Sequence, residues 1–118
     1  MSIPADLKKK IEKRLDRYCR EKIPADMSRH VRLSYGIRGN DVNLAEERPL
    51  WCDPLSWVNM PVAKFRFDPA NGKWRLYYLR PGPRPGAKWR AYPDLSPRAS
   101  IEDLIREIDT DPAGAFWR

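Results

Sequence analysis

The chain has 118 residues, of which 42% are hydrophobic and 33% charged, with five Trp, five Tyr, three Phe and a formal net charge of +7. That length carries one core and excludes a second, and the aromatic content excludes a disordered chain. The positive balance attracts polyanions, whether nucleic acid, acidic partners or an anionic membrane surface. No apolar run approaches a signal segment or a membrane span. Cys19 and Cys52 lack metal-ligand spacing. The expectation is one cytoplasmic domain over 1–118, with free thiols and with no membrane partner, cofactor or metal.

Ile3–Lys22 predicts an amphipathic helix. Ile3, Leu7, Ile11, Leu15, Tyr18 and Cys19 recur every three or four residues, which places them on one stripe. Ser2 is a candidate cap and Pro4 a candidate first helical residue. Lys8, Lys9, Lys10, Lys13, Arg14, Arg17 and Arg20 fill the rest, where like-charge neighbours leave packing to hold the helix. This basic side reads first as a solvated face and only second as a binding surface.

His30–Arg38 alternates, with Val31, Leu33, Tyr35 and Ile37 inward and Arg32, Ser34, Gly36 and Arg38 outward. Gly39-Asn40-Asp41 signals a turn, after which Val42 and Leu44 resume the inward set up to Pro49. Leu50–Asn59 predicts an irregular loop whose Trp51 and Trp57 fold back on the core or cover a sheet edge.

Met60–Arg80 carries the clearest pattern, a hairpin. Ala63, Phe65 and Phe67 share one face, and Val62, Lys64 and Arg66 the other. Trp74, Leu76 and Tyr78 continue the first face; Arg75, Tyr77 and Leu79 continue the second. Asp68-Pro69-Ala70-Asn71-Gly72 supplies the turn.

Pro81–Gly86 predicts a stiff linker. Lys88–Tyr92 predicts a fifth strand, with Trp89 and Ala91 inward and Lys88, Arg90 and Tyr92 outward. Ser100-Ile101-Glu102-Asp103 opens a second helix in capping-box style, with Ile101, Leu104, Ile105 and Ile108 as its stripe. Phe116 and Trp117 are expected to dock on the core. The order is α-β-β-β-β-β-α. It implies an α+β fold: a single antiparallel sheet of about five strands, with both terminal helices on one face.

The set Tyr35-Gly36-Ile37-Arg38-Gly39, Glu47-Arg48-Pro49, Pro61-Val62-Ala63-Lys64-Phe65, Trp74-Arg75-Leu76-Tyr77, Trp89 and Asp111-Pro112-Ala113-Gly114 with Phe116-Trp117 resembles a family of small bacterial proteins. That family is known only as domain of unknown function number three thousand and twenty-four. The resemblance covers nearly the whole chain, departs at the Pro/Gly-rich 81–86, and implies a cytoplasmic bacterial protein. It supplies no activity, cofactor or catalytic residue.

Chemistry must then come from the outward set. Arg32, Arg38, Lys64, Arg66, Arg75, Lys88 and Arg90, with Tyr77 and Tyr92, fall on the parity opposite the core. Cations neutralise phosphates and Tyr rings stack on unpaired bases. The preferred reading is a non-catalytic nucleic-acid-binding module for RNA or DNA, set against an ordinary solvated sheet face. The alternative is a protein-interaction or self-associating subunit using Trp51, Trp57 or Phe116-Trp117. Least favoured is a small nuclease or hydrolase using Glu46, Glu47 and His30. His30 is the single histidine, and adjacent strand residues point to opposite faces. Glu46 shares the inward parity of Val42 and Leu44, so it needs a cation, and Arg48 lies two residues on along that face.

Overall fold

The computed structural model describes residues 3–23, 31–50, 52, 53, 55–80, 88–93, 95–112, 114 and 116. Helix α1 (Ala5–Lys22) is followed by strands β1 (Arg32–Arg38), β2 (Asp41–Pro49), β3 (Trp57–Asp68), β4 (Lys73–Arg80) and β5 (Lys88–Ala91), then helix α2 (Ile101–Thr110). The strands form one antiparallel sheet in sequence order, β1-β2-β3-β4-β5. This is the α+β order the alternation predicts. His30, Trp51, Trp117, the proposed cap Ser2 and the linker 81–86 lie outside the described residues.

Turn chemistry sets the register. Gly39 (φ +61°) turns β1 into β2 and Gly72 (φ +68°) turns β3 into β4, conformations that cost a residue with a Cβ. At the second turn the Asp68 carboxylate accepts from Ala70 N and the Asn71 side chain accepts from Lys73 N, at 2.9 and 3.0 Å. Val42, Leu44, Ala63, Phe65, Trp74 and Leu76 are thereby stacked on one face, each 2% exposed or less. Burying each of the larger ones contributes roughly 1.5–3 kcal/mol.

Both helices cover that face. The α1 stripe buries Ile11, Leu15 and Tyr18, and α2 buries Ile101, Leu104, Ile105 and Ile108. Tyr35 of β1 puts its hydroxyl 2.6 Å from Asp16 and 3.1 Å from the Glu12 carbonyl, which fixes α1 over the first strand. Arg14–Glu102 (2.6 Å) and Lys22–Asp109 (3.0 Å) join the helices side by side. Burial pushes the Cys19 thiol up to about 11, so it stays protonated and packs as a small apolar group.

The helix caps differ from expectation. Helix α1 begins at Ala5 with Pro4 as N-cap and no side-chain cap, so Pro4 precedes the first helical residue and Ile3 tucks into the core. In α2, Ser100 accepts from Glu102 N, but Asp103 pairs with Arg106 at 3.7 Å instead of closing the box. Asp111 ends the helix in the left-handed region at φ 42°. Its carboxylate accepts from Phe116 N, seating that ring 5.2 Å from Tyr92.

Three strand assignments are corrected. Strand β3 starts at Trp57, not near Met60, so the last three residues of the expected loop, Trp57, Val58 and Asn59, are strand. A register shift between Leu44 and Ala45 leaves Val62 unpaired as a bulge. Val62 is 5% exposed, so it belongs to the core and not with Lys64 and Arg66. Strand β5 keeps the predicted grouping with its sides exchanged. Leu79 pairs with Trp89 and Tyr77 with Ala91, so Trp89 and Ala91 share the uncovered face. Lys88 and Arg90 lie on the helix side, and Tyr92 is buried, donating to Glu107 at 3.0 Å.

Candidate functional site

The uncovered face is built by cross-strand pairing. One transverse row reads Gly36, Asn43, Lys64, Tyr77 and Ala91, and the next reads Arg38, Asp41, Arg66 and Arg75. Toward the other end stand Ser34 with Ala45 and Pro61, and Arg32 with Glu47 and Asn59. Trp57 lies beyond them, opposite Pro49. The bulge at Val62 makes this possible. It moves β3 from odd outward positions (Trp57, Asn59, Pro61) to even ones (Lys64, Arg66) without breaking the face.

Of the predicted residues, Arg32, Arg38, Lys64, Arg66, Arg75 and Tyr77 stand together here. Lys88, Arg90 and Tyr92 do not. Lys73 joins the set opposite Asp68. Sequence reasoning missed Trp89 and Trp57 as members of this face. Each carries a cation: the Lys64 ammonium lies 4.9 Å from the Trp89 ring centre and the Arg32 guanidinium 3.9 Å from that of Trp57. A third contact places Arg66 5.0 Å from Tyr77. Such contacts hold a cation in place without neutralising it.

Carboxylates are fewer than cations and unevenly placed. Glu47 takes Arg32 at 3.0 Å. Hydrogen bonds from Ser34, then Arg32 and Asn59, hold its carboxyl below the usual 4.5. Asp41 accepts two hydrogen bonds from Arg66, at 2.8 Å to Nε and 3.3 Å to Nη2, which favours the charged guanidinium. Arg38 and Arg75 have no ion-pair partner among the described residues. Two shallow hollows flank Arg66. One, of about 580 Å³, is lined by Arg38, Asn43 and Lys64 among others. The other, of about 340 Å³, is lined by Lys73, Arg75 and Tyr77 among others.

The remaining candidates are in use elsewhere. Glu46 is buried on the helix side and pairs with Arg48 as its parity requires, while Glu47 faces the opposite way. Among the described residues no three His, Cys, Asp or Glu side chains gather where a metal could sit, and no helix is long and apolar enough to cross a membrane. The basic side of α1 lies across the sheet from the uncovered face and does not extend it. Phe116 is buried, and Trp57 lies under Arg32, so neither offers a free interface. Leu55 (91% exposed), Met60, Val58 and Leu50 form a separate apolar tip at the β2–β3 turn.

The arrangement can hold an anion by charge and by fork-shaped hydrogen bonding. Neither the curated proteins nor the solved structures offer a match. One family model, described as a domain of unknown function (DUF3024), matches residues 3–118, and the chain belongs to that family.

Proposed function

We propose that the chain is a non-catalytic module that binds nucleic acid through the uncovered face of its sheet. The observation that carries the reading is the pair of rows in which Arg38, Lys64, Arg66 and Arg75 stand beside Tyr77 on one side of the sheet. Cations outnumber carboxylates there, and no helix among the described residues covers them. Phosphodiester backbones bind such surfaces by counterion release, with log K falling by about 0.7 per phosphate neutralised for each tenfold rise in salt on a single strand. Titrating labelled single-stranded RNA and duplex DNA across a salt series tests it. The expected result is binding that weakens linearly with log salt, with Arg75→Ala weakening every sequence alike and flattening the slope. No binding at low salt, or binding indifferent to salt, ends the proposal.

The apolar tip favours a second reading, self-association. Leu55, Val58 and Met60 are exposed within one turn and its adjoining strand. Sedimentation of Leu55→Ser beside the unaltered chain decides it. An unchanged monomer in both removes this reading.

A further inference from the structure

We infer that Asp41 is a built-in competitor for the ligand of this face, occupying the fork of Arg66 until a phosphodiester replaces it. The inference rests on the nucleic-acid reading above and adds what regulates that site. Asp41 presents two carboxylate oxygens to Arg66, at 2.8 and 3.3 Å, the two-point geometry in which a guanidinium also receives a phosphate. The pair is open to water, with Arg66 49% and Asp41 26% exposed, and exposed pairs of this kind are weakly held. Exchange of one anion for another is therefore nearly neutral at Arg66 itself.

What makes the exchange favourable lies on either side. Asp41 and Arg66 form the middle of the row that Arg38 begins and Arg75 ends. Arg75 stands directly across from Arg66, a like-charge pairing that destabilises a sheet and that an anion between them relieves. Lys64 on its Trp89 ring borders the hollow on the Arg38 side. Arg38 and Arg75 are three strand spacings apart, about 14 Å. A lone phosphate gains no more at the fork than Asp41 already supplies and cannot also reach both ends. A chain of phosphates can, and the second and third contacts are then intramolecular. The occupied fork thus makes the face select extended polyanions over single anions.

Glu47 is the internal control. It is a carboxylate on the same face with an arginine partner at 3.0 Å, and its charged form is further stabilised by Ser34 and Asn59. The experiment measures binding of a labelled single strand of about ten nucleotides to the full chain and to Asp41→Asn and Glu47→Gln, which add equal charge to the same face. Inorganic phosphate and a polyphosphate chain serve as competitors. Asp41→Asn is expected to tighten binding by roughly two- to fivefold, the worth of one exposed ion pair, and to steepen the salt slope by about 0.7. Glu47→Gln is expected to do neither, and inorganic phosphate is expected not to compete.

Equal effects of the two variants would mean bulk charge alone and would overturn the inference while leaving the nucleic-acid reading in place. Absence of strand binding by every form would remove both. Equal binding of the polyphosphate chain would overturn the assignment to nucleic acid. Arg66→Lys, which keeps the charge and loses the fork, is the second test should Asp41→Asn fold poorly. It is expected to weaken strand binding; unchanged affinity counts against the inference.

Discussion

At both ends of the uncovered face an arginine lies against an aromatic ring and holds a carboxylate, yet the two ends are built for different work. At the Trp57 end, Glu47 is recessed and gathers Ser34, Arg32 and Asn59 around itself. The charge is spent internally, and the group acts as a brace across β1, β2 and β3. At the Arg66 end, Asp41 is more exposed and meets one partner. Two further arginines in its row have none among the described residues. Both carboxylates are partly exposed. The one whose charge three side chains stabilise acts as a brace, and the one with a single arginine, in a row where cations outnumber it, is the proposed anion seat.

The largest way to break the comparison is to remove the platform beneath it. Phe65 is fully buried beneath the Arg66 end, paired with Val42 and Leu76, and Phe65→Ala is expected to cost about 3–5 kcal/mol. Urea unfolding should then show both ends lost in one transition. Survival of one end would mean that the ends do not share a core.

Next in size is the brace itself. Glu47→Ala removes the carboxylate that Arg32 pairs with and that Ser34 and Asn59 help stabilise, and is expected to cost about 1–1.5 kcal/mol. Asp41→Ala, at the open end, is expected to cost under about 1 kcal/mol. Equal losses in thermal or urea unfolding would erase the distinction. The pH dependence follows the same division. The Glu47 carboxyl is held below 4.5 in the folded state, so its contribution is present above the unfolded value and is lost as pH falls through the lower, folded one. Acid unfolding of Glu47→Gln should therefore show a shallower decline than the unaltered chain below pH about 4.5.

Much of this arrangement was legible before any coordinates. Alternation with Gly39 and Gly72 as turns defines β1, β2 and β4, because a two-residue period plus a fixed turn leaves one register. It therefore brings Arg38, Arg66, Arg75 and Tyr77 to one side. The bulge was not legible. Val62 looks like the start of an alternating run, and only pairing with Leu44 and Ala45 shows that it is the extra residue. Nor was the side taken by β5 legible, because parity does not carry across residues 81–87. Assigning Trp89 inward followed its hydrophobicity, whereas the interior at that edge is filled by Tyr92 and Phe116, 5.2 Å apart. The aromatic members of the site are thus set by which rings the core has already taken.

The smallest expected effect on stability concerns that misplaced ring. Lys64 over Trp89 at 4.9 Å is a partly exposed cation–π contact, worth about 0.5–1 kcal/mol, so Lys64→Met should barely move the unfolding midpoint. Its consequence for the open end is larger. Lys64 stands between the Arg38 hollow and Tyr77 in the neighbouring row, and Trp89 orients the ammonium without discharging it. Lys64→Met should therefore weaken strand binding and flatten the salt slope by about 0.7 while stability holds. Lys64→Arg should preserve both, since a guanidinium stacks on the ring equally well. The converse variant, Trp89→Leu, keeps the charge and removes its support. If the ring serves to position the ammonium, Trp89→Leu lowers affinity and flattens the slope as Lys64→Met does. Lower affinity with the slope untouched would instead mean that the neutral ring itself meets the ligand.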